Sequence, residues 1–323
     1  MSRASFARLG ALALAWGASF LLIKLALEGL SPLQIVVGRV SAGALVLWAI
    51  LAVRRQPLPR GLRLWGHLVV LGVVANIVPF FLFGYGEQRI TSGLAGVLNG
   101  STPLFTLVFA VALLPQERLS PARVLGLALG LVGVILVVGP WDSNPLTSSV
   151  SGQLACLGAS CCYAIAFVYT RRFVSGSGLP PVSLAAGQLG CAAVLLWVAA
   201  PLLARGEVAL TGTVVGAVAV LGAVGTGVAY LLYYRLIADA GATSTSMVTY
   251  LIPVVAVLLG VAVLSEPVGW NLFAGAAVVI LGVALAEGRL HRVVPLPPAR
   301  PPGAGSVRPA DADPLQQGIP RGG

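Results

Sequence analysis

Charge is what this 323-residue sequence has least of: Asp, Glu, Lys and Arg together make up 9% of it. A soluble domain carries about 25%. Water does not solvate a surface this poor in charge, so most of the outer surface must face lipid. Lysine occurs once, as Lys24, against nineteen arginines, and the only histidines are His67 and His291. Neither histidine sits in an HExxH, and there is no GxxxxGK[ST] loop, which excludes zincin chemistry and P-loop nucleotide hydrolysis. The four cysteines, Cys156, Cys161, Cys162 and Cys191, lie inside apolar runs. With no second pair and no histidines near them they do not form a zinc set and read as small packing residues. No metal and no cofactor is implied. Strict alternation of apolar and polar residues is missing too, which excludes lipid-facing barrel strands.

What is present is apolar residue, 58% of the chain. A bilayer core takes about 20 apolar residues per helical span. Runs bounded by charge, Pro or Gly give ten candidate spans, near 8–28, 33–53, 64–86, 91–114, 121–140, 152–173, 181–203, 211–234, 241–264 and 270–288. In hydrocarbon every backbone N–H and C=O needs an internal partner, so these runs are helices. The expected class is an all-α integral membrane protein with ten transmembrane helices. Residues 1–28, with Arg3 and Arg8 before an apolar stretch, have the outline of a signal peptide. The stretch is long and has a counterpart later in the chain, so it is read as a retained first helix.

The formal charge of +10 would fit nucleic acid only if the basic residues shared one continuous face. They sit instead in the gaps between apolar runs, as in membrane proteins, so no nucleic-acid partner is expected. With the N-terminus in the cytoplasm, sixteen Lys and Arg fall in inside segments and three at outside ends, with Arg39 within a span; without the tail the balance is eleven to three. Both termini are therefore expected in the cytoplasm. The Arg, Ala, Gly, Leu and Val usage points to a GC-rich bacterial genome, and hence to the bacterial inner membrane. Residues 289–323 are rich in Pro and Gly and are expected to form a disordered cytoplasmic tail.

The apolar region repeats. Residues 32–48 read PLQIVVGRVSAGALVLW and residues 181–197 read PVSLAAGQLGCAAVLLW. At an offset that drifts only from 147 to 150, Pro32 pairs with Pro181, Gly38 with Gly187 and Trp48 with Trp197, Pro103 with Pro253, Glu117 with Glu266, Trp16 with Tyr163, Phe20 with Phe167 and Lys24 with Arg171. The chain is thus expected to be two five-helix repeats, 8–140 and 152–288. Five is odd, so the second copy enters from the opposite face and the repeats are inverted. That is a ground plan of secondary transporters, whose site lies near mid-membrane between the halves.

Polar side chains inside a bilayer cost energy and tend to face the bundle or a water-filled path. Those near mid-depth are Trp16, Ser19, Asn76, Asn99, Ser101, Thr102, Tyr163, Thr226, Tyr230 and Tyr250. Aromatic faces with a few neutral donors and acceptors suit an amphiphilic solute; the plainer role is hydrogen bonding between helices, worth about 0.6 kcal/mol each. Trp16, Ser19, Asn76, Asn99, Tyr163, Thr226, Tyr230 and Tyr250 are taken as the substrate-binding candidates. Arg39, some two turns into the second span, is replaced by Gln188 in the second repeat. Its planar fork suits an anionic group, or else nearby carbonyls or a carboxylate. Lys24, in the last turn of the first span with Glu28 four residues on, either snorkels or serves a gate. Pro103 and Pro253 remove a backbone bond inside their helices and, with Lys24 and Arg39, are the candidate gating or hinge residues. Gly126, Gly130 and Gly133 permit close helix packing. Glu117 and Glu266 are expected to cap the N-terminus of the next helix. No Asp or Glu falls at mid-depth of a span, so a facilitated or loosely coupled mechanism is expected.

Taken together, Trp16-Gly17-Ala18-Ser19-Phe20 followed by Lys24, Ser31-Pro32 and Arg39; Ala95-Gly96 running to Pro103; Gln116-Glu117-Arg118-Leu119-Ser120; Tyr250-Leu251-Ile252-Pro253; and Leu264-Ser265-Glu266-Pro267 resemble the drug/metabolite transporter superfamily, EamA-type branch, over about residues 8–288. The branch places a proline in the fourth helix of each half and then G-E-R/P; Gln116 and Ser265 stand here where it usually has glycine. The resemblance implies a ten-helix carrier of small solutes driven by a gradient, without ATP hydrolysis. The expected function is secondary transport, as export, of a small metabolite or drug-like solute, amino-acid-like or amphiphilic, by alternating access. The partners are then that solute and the lipid bilayer; the oligomeric state is open and a monomer is compatible. The other classes weighed are a structural or partner-binding membrane subunit and an intramembrane enzyme. The enzyme lacks the paired carboxylates, or the nucleophile with its base, that such chemistry needs.

Overall fold

The computed structural model describes residues 2–113, 120–139, 149–241 and 245–287. Among these residues there are ten apolar helices and no strand. They are α1 (Arg3–Ala26), α2 (Pro32–Val53), α3 (Leu62–Glu87), α4 (Ser92–Leu113), α5 (Pro121–Val138), α6 (Val150–Phe173), α7 (Pro181–Leu203), α8 (Gly212–Ala240), α9 (Val248–Leu264) and α10 (Trp270–Ala286). The first eight are at least 18 residues long and the last two are 17, within the range that crosses a bilayer core. The all-α membrane class read from composition is the observed one. The 289–323 tail and Glu117 lie outside the described residues.

Local sequence fixes the helix starts. Ser2, Ser31, Thr91, Ser120, Ser149 and Thr211 each accept a backbone N–H from the first turn of the helix that follows, satisfying donors that have no intrahelical partner. At α2 the cap is reciprocal: the Ser31 N–H also donates to Gln34 Oε1 at 2.8 Å. The first span begins at Arg3 rather than residue 8 because Ser2 caps it.

Three helices are irregular where the apolar pattern alone reads as straight. α3 contains a π-helical turn at Val73–Ile77 and α8 one at Ala223–Val228. Such a wider turn adds a residue and re-aims the side chains around it. α4 is interrupted at Gly100 and Ser101, just before Pro103. The proline ring clashes with the carbonyl four residues back, that of Asn99, and Pro103 has no N–H to give it. The Thr102 hydroxyl donates to that carbonyl instead, at 2.7 Å.

The main core joins α1, α4, α6, α8 and α9 through Leu12, Leu94, Leu98, Cys156, Leu221, Leu236 and Ile252. A second layer joins α2 to α7 through Leu47, Ala186 and Leu189. α5 and α10 pack on each other. There the glycines predicted to give close packing do so: a Cβ on Gly126 would lie 2.5 Å from the Ala286 N, and one on Gly133 2.5 Å from the Val279 N. This leaves α2, α3, α7 and α8 to meet around the middle of the bundle.

Candidate functional site

Two hydrogen bonds between helices organise that middle. Arg39 on α2 donates from Nε to Thr226 Oγ1 on α8 at 3.1 Å. Gln188 on α7 donates from Nε2 to Asn76 Oδ1 on α3 at 2.6 Å. Both acceptors sit in the π-helical turns. The Thr226 hydroxyl donates to the Leu221 carbonyl five residues back, at 3.1 Å, which is the reach of a π turn. In each case a wider turn presents a polar group towards a facing helix at the depth where lipid-facing polarity would be costly.

Arg39 is 6% exposed and its Cζ lies 3.6 Å from the centre of the Phe80 ring. A cation over an aromatic face is attracted by the ring quadrupole. Tyr163 and Tyr230 flank the guanidinium, and Tyr230 also lies beside the amides of Asn76 and Gln188. Asn76 is fully buried, and its Nδ2 has no hydrogen-bond partner among the described residues. A buried amide donor without a partner costs about 1–3 kcal/mol.

Aromatic rings extend the cluster in two directions. Tyr230 stacks on Tyr234 at 5.9 Å, Tyr234 meets Tyr233 at 5.4 Å, and Tyr233 meets Trp16 at 5.5 Å. On the other side Tyr163, Phe83 and Phe20 follow one another at 6.0 and 5.4 Å. Arg39, Asn76, Tyr163, Thr226 and Tyr230 are therefore brought together, with Trp16 further along, beyond the rings of Tyr234 and Tyr233. Ser19 bonds its own helix at the Ala15 carbonyl, 3.0 Å, and packs against Gly225 in the α8 π turn.

Other candidates are placed apart from this cluster. Asn99 sits at the α4 interruption, with its carbonyl taken by Thr102. Tyr250 donates to Glu287 Oε2 at 2.9 Å, at the far end of α10. Pro103 follows the α4 break, and Pro253, in α9, approaches the break at Gly100. Lys24 neither snorkels nor pairs with Glu28. Its Nζ donates to the carbonyls of Glu87 and, at 2.7 Å, Ile90, because the end of α3 folds over it. Glu266 is a cap, but not of the helix that follows it. Its carboxylate accepts the Ser92 N–H at 2.7 Å, the Ser92 hydroxyl at 3.0 Å and the Gly93 N–H at 3.1 Å, all at the start of α4.

Sequence reasoning passed over three residues. Gln188 was visible as the counterpart of Arg39 and completes the second bond between helices. Phe80 carried no signal within an apolar run. Glu87 is fully buried at the end of α3, and its place at a span boundary concealed that.

Comparison with known proteins agrees with this architecture. The profile of the EamA-like transporter family matches residues 9–139 and again 150–287. The chain is 26% identical to an uncharacterized transporter of Archaeoglobus fulgidus over 273 residues, 83% of this chain and 93% of that one. It is 29% identical to the uncharacterized inner membrane transporter YedA of Escherichia coli over 287 residues, 87% and 89% of the two. A solved crystal structure superposes with a TM-score of 0.64 at 23% identity, covering 90% of this chain and all of that one, so the fold is shared. This multi-pass membrane protein belongs to the EamA-like transporter family and is a membrane transporter.

Proposed function

We propose that the protein is a secondary transporter that exports a small metabolite or drug-like solute, amino-acid-like or amphiphilic, from a bacterial cytoplasm across the inner membrane. It does so by alternating access between two inverted five-helix repeats, 8–140 and 152–288, with both termini cytoplasmic. The observation that carries the reading is the pair of hydrogen bonds Arg39–Thr226 and Gln188–Asn76. Asn76 and Thr226 are 150 positions apart, and Arg39 and Gln188 are 149 apart, the spacing of the sequence repeat. Each bond thus runs from the second helix of one repeat to the third of the other. Two equivalent polar links across a pseudo-two-fold axis can be made or broken in exchange as the halves rock. The solute lies among Arg39, Asn76, Tyr163, Thr226 and Tyr230, its apolar body against the rings and its polar end on the amides and guanidinium.

The test is metabolite profiling of medium and cytoplasm from cells expressing the protein, against cells expressing Asn76→Ala at a matched membrane level. A solute class that leaves cells only with the unaltered protein is the expected result. Identical profiles in both would remove the site assignment.

A further inference from the structure

We propose that the Glu87 carboxyl is a proton-binding site of the transport cycle, and that it exchanges its proton as Lys24 turns to it. The inference rests on the transporter reading above and adds a coupling group that the span pattern does not reveal. Glu87 ends α3 with no exposed surface, and neither of its carboxyl oxygens has a hydrogen-bond partner among the described residues.

Its surroundings explain why. The charged and titratable groups that act on it are Lys24 from α1, Arg39 from α2, Cys156 from α6 and Glu266 from the segment between α9 and α10. The charged ones are committed elsewhere. Lys24 Nζ holds two backbone carbonyls, one of them that of Glu87 itself. Arg39 Nε holds Thr226 and its guanidinium covers Phe80. Glu266 accepts three hydrogen bonds from the start of α4. Beside Glu87, α3 packs closely on α6: a Cβ on Gly86 would lie 2.6 Å from Cys156 Sγ and 2.9 Å from the Gly152 carbonyl oxygen. An unpaired ion buried in this way is strongly disfavoured, and a proton on the carboxyl removes the charge.

The Lys24 ammonium already touches the Glu87 backbone, so a side-chain rotation carries Nζ from carbonyl to carboxylate. When that end of the bundle opens, the Glu87 O–H bond breaks, the proton passes to entering water, and the carboxylate pairs with the ammonium. Closing reverses the step, with the proton taken from water. An ionisable residue enclosed within a membrane bundle is a common form of proton relay.

Infrared spectroscopy of the full chain in phosphatidylcholine vesicles tests the site without any solute. The expected result is a protonated-carboxyl C=O band at neutral pH that is lost in Glu87→Gln and kept in Glu28→Gln, where the carboxylate is exposed. Lys24→Met should keep the band at neutral pH. A band that survives Glu87→Gln, or no such band in the unaltered protein, overturns the proposal. If Glu87→Gln does not accumulate, a shift of the band in Glu87→Asp decides in its place. Export of a solute found by profiling should lose its response to a proton ionophore in Glu87→Gln; an undiminished response overturns the coupling role. Failure to find an exported solute would bear on the proposed function and leave the infrared result standing.

Discussion

The contact between α5 and α10 offers a prediction whose sign follows from distances alone. Gly133 lies in α5, and a Cβ added there would sit 2.5 Å from the Val279 N, 2.8 Å from Val279 Cγ2 and 3.0 Å from the Val278 carbonyl carbon. Two of these three are backbone atoms and cannot rotate away. Non-bonded heavy atoms rest at about 3.5–4.0 Å, so Gly133→Ala must part the two helices by roughly 1 Å. Overpacking of this kind costs about 1–3 kcal/mol, and alanine returns about 0.8–1.0 kcal/mol in helix propensity. The net expectation is destabilisation by up to about 2 kcal/mol. Gly216, in α8, has nothing within 4 Å of an added Cβ, so Gly216→Ala gains the propensity without a clash and is stabilising by up to about 1 kcal/mol. The assay is thermal unfolding of the purified variants in one detergent. A midpoint raised equally by both substitutions would refute the argument. Because α5 and α10 lie outside the central cluster, Gly133→Ala should leave solute selectivity unchanged.

Three further outcomes concern the centre and its support. Thr226→Val removes the acceptor of Arg39 Nε and is expected to cost about 1–3 kcal/mol and lower transport, while Thr226→Ser keeps both near normal; stability and export measured side by side check this. Gln188→Leu alone strands Asn76, whereas Asn76→Leu with Gln188→Leu replaces both partners by apolar groups, so the double variant should recover stability without recovering transport. Glu266→Gln weakens the charged cap of α4 and should lower stability by about 1 kcal/mol, read as a fall in the unfolding midpoint with membrane insertion unaffected.

The composition and the apolar runs determined the class of the molecule, because a chain with so little charge has only lipid to face and only helices satisfy their own backbone there. The span limits were legible to within a few residues for most helices, since Ser and Thr caps act locally. Gly126, Gly130 and Gly133 announced a close helix contact, but not that α10 was the partner. The π turns in α3 and α8 were not legible: the residues they present, Asn76 and Thr226, find their partners Gln188 and Arg39 only on facing helices far away in sequence. Lys24 and Glu266 were recognised as polar ends of spans, yet their partners, the Glu87 and Ile90 carbonyls and the start of α4, lie far away in sequence. Tyr250 read as mid-depth from its place in a run, and the structure ties it to Glu287.

The sequence by itself therefore determined which residues must be buried in a membrane, because burial follows from local polarity and length. The tertiary structure alone decided which polar groups meet, and that the Glu87 carboxyl has no hydrogen-bond partner among the described residues. Hydrogen bonds act over about 3 Å, and only the packed bundle brings residues more than a hundred positions apart to that distance.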